Sequence, residues 1–315
     1  MIAVTRAAPF MTVQDRGRGG LRAKGIPPSG AMDPETLAWA NLLVGNPVEA
    51  AGLEWALGSG QVKLREPRAL VAAGAPLTLN GLTVPPWTAV VVSPEDQVEI
   101  GLPQRRFAYL AVAGGIAVEP VLGSCSTYLV AGFGGHEGRR LKSGDRLPLG
   151  EAASPPPEPA WSLPPDFGPD AGSTVRVVPG PQSDLFEENA WDLLLGGNYS
   201  VAAASDRMGY RLEGPPLRHR GAASLPSEPV CPGAIQVPDG GAPIVLMPDG
   251  PTVGGYPKLA VVITADLGIF AQCAPGSRPD FALVTFEEAV AALRARKARL
   301  LEGAGLLRQS DLPTI

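Results

Sequence analysis

Glycine and proline are spread through the whole chain without a fixed period, and this distribution limits the folds open to it. The 315 residues include 39 glycines and 35 prolines, which interrupt most candidate helices. Short segments joined by tight turns favour β structure. We therefore expect a mainly β protein with a few helices.

The remaining composition narrows the class of protein. Apolar residues make up 45% of the chain and charged residues 18%, which predicts a packed core rather than global disorder. The formal net charge of −5 argues against nucleic acid or an anionic membrane as the main partner. The longest apolar stretches, such as 109–118, are too short to span a membrane. No cleavable signal is evident at the N-terminus, so we expect a cytoplasmic protein.

One stretch indicates a domain boundary. Residues 151–172 read EAASPPPEPAWSLPPDFGPDAG and hold seven prolines, as an extended linker does. We predict an N-terminal lobe over 1–150 and a C-terminal lobe with a terminal helix over 173–315.

Helix and strand signals are local. Asp33 is a natural N-cap, Ser183 offers a second cap, and Thr285 with Glu288 forms a capping box. These signals predict helices over 34–44, 184–195 and 286–302. Short Val-rich runs bounded by Gly or Pro predict strands. The main candidate strands are 69–74, 88–93, 107–114, 174–180, 243–247 and 258–265.

The segment 247–258, MPDGPTVGGYPK, predicts a functional site. It follows the apolar run PIVLM and places Asp249, Thr252, Tyr256 and Lys258 on irregular backbone. Binding groups are often carried by loops that a rigid scaffold holds. The alternative is a hairpin turn with solvated polar residues.

Two neighbouring segments add to this candidate site. Residues 205–214 contribute Arg207, Tyr210 and Arg211, and residues 227–238 contribute Glu228 and Gln236. If these groups meet in one cavity, they can polarise an amide carbonyl and stabilise developing negative charge. Exposed turn residues without a shared cavity are the alternative, because spacing alone does not establish convergence.

Other polar positions carry weaker signals. The Gly-rich stretch 121–147, which includes Arg139, has backbone N–H groups that can hold an anion. It matches neither G-x-x-x-x-G-K-[ST] nor G-x-G-x-x-G, and a charged strand–turn–strand is the alternative. The three cysteines are Cys125, Cys231 and Cys273, which we expect to be buried small apolar residues rather than catalytic thiols. With two histidines in the chain, a multi-histidine metal site is excluded.

Several motifs in series resemble one known family. They are TVQD-x-GR, G-I-P-x-SGAMD, ANLLVGN, AVAGGI, LGS-x-ST, GR-x-LK-x-GD-x-L, DRMGYRL and PIVLM-x-D-x-x-T-x-GGYP. Together they resemble the biotin-dependent carboxyltransferase family, which includes the C subunits of 5-oxoprolinases (KipA-type proteins) and the allophanate hydrolase subunit 2-like domain of urea carboxylase. The stretch 227–238 and GGYPK at 254–258 are similar to the 5-oxoprolinase branch.

The resemblance implies tandem cyclophilin-like β-barrel lobes and work in a complex. It implies ATP-dependent opening of 5-oxo-L-proline to L-glutamate, together with KipI-like (B-type) and LamB/YcsF-type (A-type) proteins. ATP with magnesium is then the implied cofactor, bound here or at one of these partners. The chain has no carrier MKM lysine, so no covalent biotin is expected.

The implied roles fall on the candidate residues. Asp249, Lys258 and Glu228 are the catalytic candidates, with a carboxylate serving as magnesium ligand or general base. The substrate-binding candidates are Arg207, Tyr210, Arg211, Gln236, Thr252, Tyr256 and Arg139.

Two other functions stay open. One is carboxyl transfer to an amide such as urea with a separately encoded biotin carrier. The other is a non-enzymatic KipA-type role in which the chain sequesters a KipI-like inhibitor of a histidine kinase. Homo-oligomerisation is open as well.

Overall fold

The computed structural model describes residues 1–152, 174–221 and 224–309, and these residues separate into two compact units. The predicted linker 151–172 lies outside the described residues apart from its first two positions. Among the described residues, the first unit comprises 1–18, 29–152 and 298–309, and the second comprises 19–28, 174–221 and 224–297. The segments 19–28 and 298–309 therefore belong to the opposite unit from the one that the predicted boundary gives them.

The first unit is built from antiparallel strands. In chain order the strands are β1 (Ile2–Arg6), β2 (Phe10–Gln14), β3 (Gly52–Ala56), β4 (Gly60–Leu64), β5 (Arg68–Ala73), β6 (Leu77–Leu79), β7 (Leu82–Val84), β8 (Val90–Val92), β9 (Val98–Ile100), β10 (Ala108–Val112) and β11 (Arg146–Leu147). They form a six-stranded sheet in the order β11-β1-β4-β9-β6-β7 and a five-stranded sheet in the order β2-β3-β10-β5-β8. Strand β4 alternates buried and exposed residues, whereas β3 and β10 are buried throughout.

The core of this unit lies among these strands. Large side chains such as Met11, Leu53, Trp55 and Leu110 are fully enclosed. Helix α1 (Pro34–Leu43) packs against β5 and β10.

The second unit has one main sheet and one short ribbon. Its strands are β12 (Thr174–Pro179), β13 (Ser200–Val201), β14 (Gly209–Glu213), β15 (Glu228–Pro229), β16 (Ala234–Gln236), β17 (Ile244–Leu246), β18 (Val253–Gly254), β19 (Lys258–Val262) and β20 (Asp280–Leu283). Seven of them form a sheet in the order β13-β14-β17-β16-β19-β12-β20, and β15 pairs with β18 alone. Strands β12 and β20 are parallel.

The other helices are α2 (Ala190–Leu195), α3 (Leu267–Ala271) and α4 (Phe286–Gln309). The predicted capping box at the start of α4 is confirmed: Thr285 N donates to Glu288 Oε2 at 2.8 Å, and Glu288 N donates to Thr285 Oγ1 at 3.2 Å. The predicted cap of α1 is also confirmed, because Asp33 accepts from the backbone N–H of Thr36 at 3.2 Å.

The helix predicted over 184–195 is wrong in its first half. A 3-10 turn covers Ser183–Leu185 without a side-chain cap, and α2 begins at Ala190. Phe186 has extended backbone and forms a β-bridge with His219, so tertiary pairing overrides the local helix signal. The mainly β class with a few helices is confirmed, and a strand overlaps each candidate segment.

Candidate functional site

Three side chains of the second unit meet around one carboxylate oxygen. Lys258 Nζ and Gln182 Nε2 both donate to Glu228 Oε1, the second bond at 2.8 Å. Gln182 Oε1 in turn accepts from the backbone N–H of Lys258 at 3.3 Å. We call Gln182, Glu228 and Lys258 the lysine–glutamate cluster. Two catalytic candidates from the sequence are thus in direct contact.

The two charged members of the cluster differ in exposure. The Lys258 side chain is 4% exposed and that of Glu228 is 38% exposed. The hydrogen bond from Lys258 lowers the pKa of Glu228 below its ordinary value, and the bond from Gln182 acts in the same direction. Among the described residues, Glu228 Oε2 has no hydrogen-bond partner. An ionised carboxylate with one oxygen open is suited to bind a cation, a proton or a substrate N–H group.

A close backbone approach places Gln182 in the cluster. The N–H of Gly180 donates to the carbonyl of Leu259 at 2.8 Å, and a Cβ on Gly180 would overlap the carbonyl oxygen of Lys258. A residue with a side chain would force this loop away from β19. Glycine at 180 therefore brings the loop after β12 over the start of β19, within reach of Lys258.

Gln236 lies opposite Lys258 across a sheet irregularity. The pairing of β16 with β19 shifts register between Ile235 and Gln236, so that Gln236 pairs with Lys258. Such shifts redirect side chains. Gln236 is 5% exposed, and its Nε2 has no partner among the described residues. A Cβ on Gly254 would overlap this nitrogen, so a larger residue there would displace the Gln236 amide.

Arg207 and Asp249 form a second ion pair. Arg207 Nε donates to Asp249 Oδ2 at 2.8 Å and Nη2 donates to Oδ1 at 3.1 Å. Asp249 is 2% exposed and the Arg207 side chain 13%. The backbone N–H of Asp249 also donates to the carbonyl of Arg207 at 3.0 Å. This forked pair ties the loop after β17 to the loop before β14.

The register puts the two pairs at different ends of β16. Gly233 lies just before β16, and its backbone N–H donates to the carbonyl of Leu246. Asp249 lies three residues after Leu246 in the chain. Lys258 instead lies opposite the last residue of β16. The structure thus brings the charged candidates together as two pairs, and their convergence on one cavity stays a prediction.

The other candidates of this unit have different surroundings. Tyr210 is fully buried, and its hydroxyl donates to the carbonyl of Ala271 at 2.6 Å, which places it in the core. Arg211 is exposed, and Thr252 is half-buried. Tyr256 is 43% exposed and is the accessible aromatic residue beside the cluster, since its carbonyl lies 3.4 Å from Lys258 Nζ.

Arg139 belongs to the first unit and has acidic partners there. It donates to both carboxylate oxygens of Asp145, at 2.7 and 3.0 Å, and to Glu137 at 2.9 Å. The hydrogen bond from Arg139 lowers the pKa of Asp145 to about 2, and that bond also raises the pKa of Arg139. These bonds fix a turn of the first unit, and anion binding by Arg139 stays a prediction.

The polar motif 12–18 forms a buried network in the first unit. The carboxylate of Asp15 accepts from Ser124 Oγ at 2.7 Å, Ser126 Oγ, Cys125 N at 2.6 Å and Gly17 N at 2.8 Å. Its bonds join TVQDRGR to LGSCST, and they occupy both carboxylate oxygens. We assign Asp15 a structural role.

Sequence reasoning missed two residues of the second unit. Gln182 lies two residues after the predicted strand 174–180, and its position after a strand was the available signal. Arg22 comes from the segment 19–28, and its guanidinium donates to the carbonyls of Val230 and Pro251, the latter at 3.1 Å. Arg22 therefore connects the segment that follows β15 with the segment that precedes β18. Burial lowers the pKa of Arg22. No local pattern indicated this contact.

The cysteines differ in part from expectation. Cys125 and Cys273 are half-buried, but Cys231 is exposed, so the prediction of burial is wrong for Cys231. Burial raises the pKa of Cys125, which disfavours its thiolate. Within the described ranges, no group of three His, Cys, Asp or Glu side chains could hold a metal ion, and no helix has the length and apolarity to cross a membrane.

Comparison with known proteins gives consistent matches. The family model described as "Carboxyltransferase domain, subdomain A and B" matches residues 24–283. The chain is 40% identical to the 5-oxoprolinase C subunit of Escherichia coli, with 93% of this chain and 94% of the relative covered. It is 33% identical to the 5-oxoprolinase C subunit of Haemophilus influenzae, with 92% and 93% covered.

A solved structure extends the likeness to a larger enzyme. The crystal structure of Kluyveromyces lactis urea carboxylase matches with a TM-score of 0.88 and 27% identity over 96% of this chain. The chain spans 29% of that protein and 20% of the crystallised urea amidolyase of the same species. Because the family model covers most of the chain and two relatives match it nearly end to end, the chain belongs to the carboxyltransferase domain family, as its motifs indicated.

Proposed function

We propose that this chain is the C subunit of an ATP-dependent 5-oxoprolinase and takes part in opening 5-oxo-L-proline to L-glutamate together with KipI-like and LamB/YcsF-type proteins. The observation that carries the proposal is near-complete coverage of two relatives named as the C subunit of 5-oxoprolinase, one of them 40% identical. Their names describe one part of a larger enzyme, which supports partner proteins for this chain. Within this chain, we assign substrate binding and charge stabilisation to the lysine–glutamate cluster.

The substrate has a carboxylate and a lactam, and the cluster offers groups for both. The buried ammonium of Lys258 is a point charge that attracts a carboxylate or a developing oxyanion. The open Oε2 of Glu228 can accept the lactam N–H or a proton of the attacking water. The lowered pKa keeps Glu228 ionised near neutral pH, which favours orientation of the substrate over strong general-base action.

ATP bound in the complex would supply a phosphoryl group to activate the lactam carbonyl, with ADP and phosphate released as water adds to the ring carbon and the C–N bond breaks. The residues that the structure describes do not fit a resident nucleotide–magnesium site. The sequence has no standard phosphate-binding fingerprint, and no metal-ligating cluster occurs among the described residues. We therefore assign ATP to the partner proteins.

The test is reconstitution with candidate KipI-like and LamB/YcsF-type partners. Glutamate formed from 5-oxoproline is measured with and without ATP, for the wild type and for Lys258→Met. We expect ATP-dependent turnover that falls about 100-fold or more in the variant, as for loss of one electrostatic stabiliser. The exposed Lys63 in β4 gives the matched control Lys63→Met, which should keep wild-type turnover. Undiminished turnover in Lys258→Met would remove the cluster from the mechanism.

A second candidate is carboxyl transfer to an amide nitrogen, with urea as one such acceptor. It is favoured by the likeness to urea carboxylase over 96% of this chain. The same complexes would be given carboxybiotin and urea in place of ATP and 5-oxoproline. Carboxylated urea without any glutamate formation would select this function over the first.

A further inference from the structure

The amide of Gln182 is used at both ends within the lysine–glutamate cluster. Its oxygen accepts from the backbone N–H of Lys258, and its nitrogen donates to Glu228 Oε1. Since Lys258 N is a donor, the amide oxygen must face it, which leaves Nε2 for the carboxylate. A side chain with one donor and one acceptor at this length is required, and glutamine meets this need where glutamate and methionine do not.

Without Gln182, little would fix the orientation of Glu228. Its side chain is 38% exposed, and a single ion pair at such exposure restrains a flexible carboxylate weakly. Two donors on the same oxygen, Lys258 Nζ and Gln182 Nε2, define both the position and the rotation of the group. The consequence is that Oε2 is left open in one direction.

The backbone is also arranged to deliver this side chain. Gly180 approaches the carbonyl of Lys258 so closely that a Cβ would overlap it, and the loop then turns into the 3-10 segment Ser183–Leu185. Gln182 stands between these two features. The approach of Gly180 and the double use of the Gln182 amide are independent observations that lead to the same contact.

We propose that Gln182 is a positioning residue that holds Glu228 against Lys258 with Oε2 open to the substrate. The inference rests on the proposed function for its effect on turnover, and it deepens that function by naming what orients the carboxylate. Gln182 itself acts through Glu228. Loss of the Gln182 amide leaves the charges of Lys258 and Glu228 in place, but the orientation of the Glu228 carboxylate is no longer fixed.

The test compares Gln182→Met, which keeps the length and removes both hydrogen bonds, with Gln182→Glu, which keeps the acceptor and places a negative charge beside Glu228. The exposed Gln104 supplies the matched control Gln104→Met. In the full chain, ¹³C NMR of labelled glutamate carboxyls follows the titration of Glu228, assigned with Glu228→Gln. In the reconstituted complex, kcat and KM for 5-oxoproline are measured across pH.

We expect both Gln182 variants to raise the pKa of Glu228 relative to the wild type, the charged variant more so. The acid limb of kcat/KM should move to higher pH, and kcat should fall about tenfold or more because the reacting groups are misplaced. A merely structural glutamine would leave the acid limb in place in Gln182→Met, whereas the added charge of Gln182→Glu raises the pKa of Glu228 in either case. If Gln182→Met does not fold, the neutral variant Gln182→Asn, whose shorter amide does not reach both partners, replaces it in both measurements once circular dichroism shows that it is folded.

The two proposals fail in different ways. A wild-type complex that forms no glutamate overturns the proposed function, while the NMR titration still decides the role of Gln182. Glu228 titrating identically in the wild type and in the folded Gln182 variants would overturn the inference, whatever the complex does.

Discussion

Removing the guanidinium from the Arg207–Asp249 pair should strongly destabilise the chain. Asp249 is 2% exposed, and its hydrogen bonds from side chains of described residues both come from Arg207, at 2.8 and 3.1 Å. Arg207→Met would leave a buried carboxylate without its counter-charge. Breaking a buried pair in this way costs about 3–5 kcal/mol. At about 2–4 °C per kcal/mol for a chain or unit of this size, Tm should fall by about 6 °C or more.

The same unit contains an exposed pair that serves as a matched control. Arg220 Nη2 lies 3.5 Å from Glu188 Oε1, with the side chains 53% and 95% exposed. Exposed pairs contribute less than about 1 kcal/mol, so Arg220→Met should shift Tm by no more than about 4 °C. Differential scanning calorimetry of both variants at one pH and salt concentration measures the difference.

The double variant Arg207→Met with Asp249→Leu tests the cause. If the loss comes from the stranded charge, replacing both partners with apolar residues should recover part of the stability. Equal Tm shifts for Arg207→Met and Arg220→Met would refute the reasoning, because Asp249 would then not be shielded from water. So would a double variant less stable than Arg207→Met alone.

Three further perturbations test other parts of the structure. Thr285→Ala removes the cap at the start of α4 and should cost about 1 kcal/mol in chemical denaturation, whereas Thr285→Ser should be close to neutral. Arg139 lowers the pKa of Asp145 to about 2, so the ionised carboxylate contributes stability that is complete above the ordinary carboxyl pKa and is lost as pH falls toward about 2. Asp145→Asn should therefore remove this part of the stability loss, which denaturation measures between about pH 2 and 5. Tyr109→Phe removes the hydroxyl that donates to the buried carboxylate of Glu54 at 2.8 Å and should lower the free energy of unfolding by about 1–3 kcal/mol, and an unchanged denaturation midpoint would contradict that bond.

Features encoded by neighbouring residues were predictable from the sequence. Asp33 and the Thr285–Glu288 box mark helix starts because each cap involves residues three apart. The helix proposed from Ser183 failed because Phe186 pairs with a residue far along the chain, His219. Local signals do not report such pairing.

The candidate site was likewise predictable only where local sequence carries the signal. The sequence identified Lys258 and Glu228 by their chemistry and by the loops around them, but it missed Gln182, which is 76 residues from Lys258 and 46 from Glu228. Arg22 lies 208 residues from Val230. Contacts of this kind depend on which loops the folded sheet brings together, and periodicity carries no information about them.

The two ion pairs of the second unit differ in exposure. Asp249 uses both carboxylate oxygens on Arg207 and is almost completely enclosed, so burial keeps a substrate from its remaining lone pairs. Glu228 concentrates its two donors on Oε1 and leaves Oε2 open on a side chain that is 38% exposed. A carboxylate can act on a substrate while remaining paired if its second oxygen is free. The lysine–glutamate cluster therefore ranks above the Arg207–Asp249 pair as the site of chemistry, and Asp249 should show its effect in stability before it shows one in turnover.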